Sequence, residues 1–382
     1  MDSKTKNTQK KLQLALRTES PVSDDEDQRK RQESVMKNSG YTVQEMIGTG
    51  AFSNVMKAFS KTHNQTVAVK VISKQKASKD VLTKFLPREI DLVTKLKHVN
   101  LIRYHECIET TLRYYIVMQY AEKGSLLQLI RKEKYLAEER ARSYFSQLLN
   151  AVEYIHSMGV VHRDIKCENI VFDGSFTLKL IDFGFARGNM QSVAVGSKMK
   201  PVLSKTFCGS HAYASPEILK SIPYQPQLSD IWAAGVVLYT MVFGQLPFAN
   251  VNNVNFLIKQ VSAGPTFPKD RCVSDECKYL IKQIMRPADV RVSIEEMRSL
   301  PWLTENDSGY DESSQEKRMK LDPASGGITA VTNNNKRYDP TLAGNLDKKN
   351  NNNDNSSGNN SNNNSNLHTS LRVLKRKRAV PK

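Results

Sequence analysis

Between Tyr41 and Leu303 the apolar residues change their period once, and that change restricts the fold more than any other feature of the chain. From Tyr41 to Ile72 they alternate and are rich in Val, Thr and Ile, with turn signals at Gly48–Gly50 and His63–Gln65. Alternation puts successive side chains on opposite faces, so this stretch predicts strands joined by hairpins. Cys107–Ile108 and Tyr114–Met118 read as two further short strands about a turn at Thr110–Arg113. From Leu136 onward the spacing is helical. Ala141, Tyr144, Phe145, Leu148, Leu149, Val152 and Ile155 recur three and four residues apart, and Asp230–Phe243 reads as a second, more buried helix. The expectation is an α+β fold with a small β-rich part first and a larger helical part after it.

The two ends have a different chemistry. Residues 1–40 are polar, with an acidic cluster at Ser23–Asp27 followed by Arg29–Arg31, and predict a disordered arm. Residues 304–382 are rich in Ser, Asn, Gly and charge. Asn350–Asn366 is almost wholly Asn and Ser, which buries too little apolar surface to offset chain entropy. The expected organisation is therefore an arm (1–40), one folded domain (41–303) and a disordered, Asn-rich basic tail (304–382).

Lys plus Arg total 56 against 39 Asp plus Glu, a formal net charge of +17, which draws the chain to anions. No aromatic interleaving or nucleic-acid module accompanies the basic residues, so nucleic acid is not the expected partner. The longest apolar run, Val236–Phe243, is far short of the ~18 residues of a membrane span. The first twenty residues show no secretory pattern, and Asp2 excludes N-myristoylation. Five scattered cysteines fit a reducing compartment; Cys272 and Cys277 have no second pair to complete a metal site. A cytoplasmic location is expected, with nuclear import through the basic runs Lys317–Lys320 or Lys375–Arg378 as the alternative.

Four motifs stand in order along the folded part. Ile47-Gly48-Thr49-Gly50-Ala51-Phe52-Ser53-Asn54-Val55 is a glycine-rich loop whose amides can approach an anion. Lys70 ends the apolar Val67-Ala68-Val69, and Glu89 follows on a helix whose apolar face is Ile90, Val93 and Leu96. A Lys70–Glu89 pair would hold the ammonium over two phosphates. Next come His162-Arg163-Asp164-Ile165-Lys166-Cys167-Glu168-Asn169 and then Asp182-Phe183-Gly184.

Together these four resemble the protein-kinase signature set, over about Tyr41–Leu303. The resemblance implies a bilobal fold with a five-stranded antiparallel lobe, one main helix in it, and a helical second lobe, with ATP and Mg²⁺ between. It implies that Ile47, Gly48, Gly50, Val55, Ala68, Gln119 and Ala121 line the nucleotide, with Met118 as gatekeeper. Lys70, paired with Glu89, would contact phosphates. Asp164 would orient the acceptor hydroxyl, Lys166 would stabilise the transferring group, and Asn169 and Asp182 would hold metal. Lys166 is the residue of serine/threonine kinases. Asp182–Glu217 resembles the activation segment, with Thr206 as the site for an upstream kinase, Ser210 steadying Asp164 and Lys166, Glu217 paired with Arg291, and Asp230 bracing the catalytic loop. Two positions depart from the pattern: Ser53 replaces the third loop glycine and Cys167 replaces the usual proline.

Four strings are similar to the testis-specific serine/threonine kinase family: Phe85-Leu86-Pro87-Arg88-Glu89, His162–Asn169, Leu203–Ser210 and Ser221-Ile222-Pro223-Tyr224-Gln225-Pro226. That resemblance implies protein substrates and a role in male germ cells. A catalytically silent scaffold of the same fold is the alternative.

Overall fold

A computed structural model describes residues 30, 32–50, 53–188, 190, 193–195, 198–200, 202–204, 210–248 and 253–304. Thr206, both basic runs, and most of the arm and tail read from composition lie outside the described residues.

The smaller lobe is an antiparallel sheet of β1 (Tyr41–Thr49), β2 (Ser53–Ser60), β3 (Gln65–Ser73), β4 (Tyr104–Glu109) and β5 (Arg113–Gln119), in the order β1-β2-β3-β5-β4. Its hairpins fall at the turn signals of the sequence. The strand β3 is central and has two buried faces. Val67, Val69 and Val71 pack on one side with Met56, Ala58, Tyr115 and Val117. Ala68, Lys70 and Ile72 fall on the other by the period of two, where Ile72 meets Ile116, Leu86 and Ile90. Lys70 thus emerges on the side that carries the main helix, α2 (Leu86–Lys95), entered through a π-helical turn at Val81–Phe85. Two register shifts in β1, the second between Met46 and Gly48, bend that strand at the glycine loop.

One element contradicts the expected arm boundary. Residues 32–38 form a helix, α1, and its Met36 is wholly buried against Tyr41, Met56 and the β3 valines. The reason is that the outer sheet face is apolar and needs cover. Val35 and Met36 supply it with two side chains, too few to register against a polar background.

The larger lobe is built on α3 (Leu126–Glu133), α4 (Glu138–Ser157), α5 (Pro216–Leu219), α6 (Pro226–Phe243), α7 (Val254–Ala263), α8 (Asp275–Ile284), α9 (Ile294–Arg298) and α10 (Pro301–Thr304). All seven apolar α4 residues named from the spacing are buried. The helix α6 is buried on every side along nearly its whole length, starts with Pro226 in its first turn and ends at Gly244, whose φ is +71°. A Cβ at Gly244 would fall 1.9 Å from the Lys134 carbonyl oxygen, so only glycine closes this helix. Trp302 is wholly buried and donates to Glu138 Oε2 at 2.9 Å, which ties the end of the domain to the start of α4.

Short strands β6 (Ile170–Phe172) and β7 (Leu178–Leu180) pair antiparallel, as do β8 (Val193–Val195) and β9 (Lys198–Lys200). At three residues each they were too short to show a period. The β6–β7 hairpin sets the positions of Asn169 and Asp182 at its two ends.

Met36→Ala is expected to lower the unfolding free energy by about 2–5 kcal/mol, measured by urea titration. An unchanged midpoint would mean that α1 is no part of the fold.

Candidate active site

The small lobe forms one wall of a cleft. Gly48 sits opposite Val55 in the β1–β2 register, Val55 opposite Lys70, and Ala68 opposite Met118. Ile47 and Gly50 lie at the exposed rim. The Gly50 N–H donates to the Ser53 carbonyl at 2.6 Å, closing the loop; Ala51 and Phe52 are outside the described residues. Gln119 N–H donates to the Arg103 carbonyl. Among the described residues Ala121 N–H has no protein acceptor. This backbone donor, two residues past the end of β5, fits an adenine edge.

Lys70 is buried, and its ammonium stands 3.6 Å from Asp182 Oδ2. The expected ion pair with Glu89 is therefore corrected: among the described residues Lys70 pairs with Asp182 and not with Glu89. Asp182 has φ +66°, a left-handed turn. Its Oδ1 accepts the Gly184 N–H (3.2 Å), while Oδ2 is the oxygen nearest Lys70. Glu89 is buried and lines a pocket with Val93, Leu96, Tyr104, Met118 and Phe183.

The opposite wall is the loop from Val161 to Asn169. Its anchor is Asp230, buried at the start of α6. Asp230 accepts from His162 N–H (2.8 Å), Arg163 N–H (2.8 Å) and His156 Nε2 (2.9 Å). Burial pushes its carboxyl up, but the bond from His156 and the other donors outweigh this and hold it below the usual aspartate value. The backbone at Arg163 is left-handed, with φ +65°, a conformation that costs energy and persists only under such constraint. His162 Nδ1 accepts the Asp164 N–H (3.3 Å), so its Nε2 carries the proton and donates to the Ile181 carbonyl (3.0 Å). The loop is thereby tied to the chain just before Asp182.

Asp164 sits at the centre. Its Oδ2 accepts from Lys166 Nζ at 2.8 Å and from Asn169 Nδ2 at 2.9 Å. Burial raises the Asp164 carboxyl above its ordinary value, with Lys166 opposing the shift. Asn169 Nδ2 also donates to the Asp164 carbonyl (2.9 Å). The amide nitrogen is thus committed to Asp164, which leaves the amide oxygen for another partner. Among the described residues no group of three or more His, Cys, Asp or Glu side chains is placed to hold a metal alone. One carboxylate and one carboxamide oxygen, Asp182 and Asn169, make the hard, incomplete donor set that suits a cation sharing its coordination with phosphate oxygens and water.

The protein kinase domain model matches residues 41–303. Human testis-specific serine/threonine-protein kinase 4 is 42% identical over 277 residues, covering 71% of this chain and 84% of that one. Mouse testis-specific serine/threonine-protein kinase 1 is 40% identical over 272 residues (71% and 73%), and mouse testis-specific serine/threonine-protein kinase 3 is 41% identical over 273 residues (71% and 98%). The chain belongs to the protein kinase family. It is a serine/threonine protein kinase, an enzyme class that uses ATP with a divalent metal and acts on proteins.

In this kinase Glu217 and Arg291 form the expected pair. Arg291 reaches Glu217 through both Nη atoms, at 2.7 and 3.1 Å, with both side chains buried. Arg291 also donates to the Leu228 and Arg286 carbonyls and lies 5.0 Å from the Trp232 ring centre. Ser210 lines a cavity with Asp164, but among the described residues no hydrogen bond joins it to Asp164 or Lys166. Sequence reading missed the His156 contact to Asp230, the Arg163 Nε bond to the Phe185 carbonyl (2.6 Å), and the Tyr213 contact to Cys167. None of these has a signal in residue spacing.

Glu217→Gln is expected to cost about 3–5 kcal/mol of stability, because it leaves buried Arg291 without its counter-charge. Burial raises the Glu217 carboxyl, but Arg291 outweighs it and holds it below the ordinary 4.5. The folded value is thus below the unfolded one. The wild type should lose this stability as pH falls from the ordinary glutamate value through the folded one, and the variant should not. Parallel acid titrations of the two proteins would contradict this.

Proposed function

We propose that this kinase carries the γ-phosphoryl group of Mg²⁺-bound ATP to Ser or Thr hydroxyls of proteins through the residues around Asp164. The observation that carries this reading is the joint hold of Lys166 and Asn169 on one buried oxygen of Asp164, at 2.8 and 2.9 Å. Phosphoryl transfer asks chiefly for positioning and charge neutralisation. Asp164, kept in place by Asn169, orients the acceptor hydroxyl. Lys166 and Lys70 bring positive charge to the transferring and the remaining phosphates. Asn169 and Asp182 would hold the metal, which would supply neutralisation of phosphate charge. Gly48 and Gly50 cover the phosphates, Ile47, Val55 and Ala68 enclose the adenine, and Gln119 and Ala121 present backbone groups to it. Glu89 adds a buried carboxylate in the cavity behind Lys70.

Thr206 is proposed as a phosphate acceptor for an upstream kinase. Arg163, whose Nε already holds the Phe185 carbonyl at the start of the activation segment, is the proposed receiver of that phosphate. Among the described residues no helix is long and apolar enough to cross a membrane. The names of the relatives support a role in male germ-cell development. The proposed location is the cytoplasm, with entry to the nucleus through either basic run.

Labelled ATP, Mg²⁺ and a basic protein acceptor give the test. Lys70→Met and Asp164→Asn should each reduce transfer by at least about a hundredfold, and EDTA should abolish it. Because burial raises the Asp164 carboxyl in the free enzyme, the acid limb of kcat/KM should begin above the ordinary aspartate value of 3.8. Transfer that survives both substitutions would refute the assignment.

A further inference from the structure

Away from the cleft, two imidazoles meet beside the turn that joins β2 to β3. The rings of His63 and His105 have centres 4.7 Å apart and planes inclined at 31°. Gln65 Nε2 stands 3.4 Å from His105 Nε2. We propose that His63, His105 and Gln65 form a binding site for a transition-metal dication of the zinc class, with water completing its coordination. The site is separate from the nucleotide: Gln65 shares the period of Val67, Val69 and Val71, the sheet face opposite Lys70.

The backbone brings the three side chains together from two separate parts of the sheet. His63 lies in the turn between β2 and β3, where Asn64 takes a left-handed φ of +48°. The His63 N–H donates to the hydroxyl of wholly buried Ser60 at 3.3 Å, which fixes the turn. Gln65 opens β3 opposite Ser60. It lies two residues before Val67, which pairs with Gln119 at the end of β5. The strand β5 thus ends short of Gln65, and the Gln65 amide reaches past it to β4. His105 is the extra residue where the register of β4 slips against β5, between Tyr104 and Glu106. A bulge of this kind re-aims a side chain.

The spacings are those of ligands on one small ion. With bonds of about 2.0–2.2 Å at tetrahedral angles, neighbouring donor atoms lie about 3.4 Å apart and two imidazole centres roughly 5 Å apart. The Gln65–His105 contact has the first of these distances and is long for a hydrogen bond. A half-turn of the Gln65 amide puts Oε1 where Nε2 stands. His63 and Gln65 are exposed and His105 is half-buried, so an ion has a way in. The neutral imidazole is the form that ligates. Burial, helped by His63 and Arg103, holds the His105 ring down at about 4, so it is neutral at physiological pH. Of the charged neighbours, Arg103 opposes a cation; Glu106 favours one while accepting the Tyr41 hydroxyl. Two ring nitrogens and one amide oxygen suit Zn²⁺, Cu²⁺ or Ni²⁺ and not Mg²⁺, which takes oxygen ligands.

The test is Zn²⁺ titration of the full chain in competition with a chromophoric chelator, with excess Mg²⁺ present to fill oxygen-donor sites and no ATP. His63→Phe keeps a ring against His105 but removes a ligand. It should weaken Zn²⁺ binding at least about tenfold and leave the metal-free melting temperature unchanged. His105→Ala should weaken binding as much. Gln65→Glu, which supplies a carboxylate in place of the amide, should tighten it. Zn²⁺ should raise the melting temperature of the wild type and not that of His63→Phe. Wild-type affinity in His63→Phe would overturn the site and assign the Zn²⁺ to other histidines or cysteines of the chain. A wild type that binds no Zn²⁺ would overturn it as well. A Gln65→Glu variant that binds no more tightly than wild type would remove Gln65 from the ligand set. Should His105→Ala not fold, His63→Phe, at an exposed position, decides alone.

Discussion

A carboxylate with no access to water, that of Asp230, holds the loop on which the rest of the site depends. It accepts two consecutive backbone N–H groups, from His162 and Arg163, and the ring of His156. Those bonds hold Arg163 in a left-handed turn that its side chain would not otherwise favour. The turn in the backbone directs Asp164 into the cleft. A helix buried on all sides is a stiff base for such an anchor, and α6 is the most thoroughly buried helix of the larger lobe. The chemistry at the surface of the cleft is thus referred back to the core through one side chain.

From there the constraints spread in two directions. His162 passes its proton-bearing nitrogen to the Ile181 carbonyl, so the loop and the chain leading to Asp182 move as one piece. Asn169 closes the same piece from the other side by bonding both the carbonyl and the carboxylate of Asp164. Arg163 reaches the Phe185 carbonyl, and Glu217 with Arg291 fastens the far end of the activation segment.

Much of this was legible in the sequence, for a physical reason. Phosphate chemistry demands particular residue types, and types at fixed spacing survive in a linear string: Gly48 and Gly50, Lys70, Asp164, Asn169 and Asp182, the residues proposed for it, stand at such spacing. The lobes were legible because a sheet with buried faces and a helix with one buried face leave different periods, as in Val67–Val71 and Ala141–Ile155. What was not legible depends on reach. Whether Lys70 meets Glu89 or Asp182 turns on a few ångströms in the placement of α2 and on the left-handed backbone at Asp182, neither of which a string encodes. Met36 was hidden because covering the sheet takes only two apolar side chains, Val35 and Met36, on a short helix in a polar stretch. His156 was hidden because its meaning arises only when α4 lies against α6.

Asp230→Asn tests the central claim most directly. The substitution keeps the shape but replaces one acceptor oxygen by a donor, which leaves a buried N–H of His162 or Arg163 unpaired. Binding of a fluorescent ATP analogue and single-turnover phosphotransfer would be measured on the same preparation. If Asp230 pre-positions Asp164, nucleotide affinity should stay within about threefold of wild type while the transfer rate falls by at least about a hundredfold. Transfer at near the wild-type rate would contradict the account, as would a loss of nucleotide affinity equal to the loss of rate.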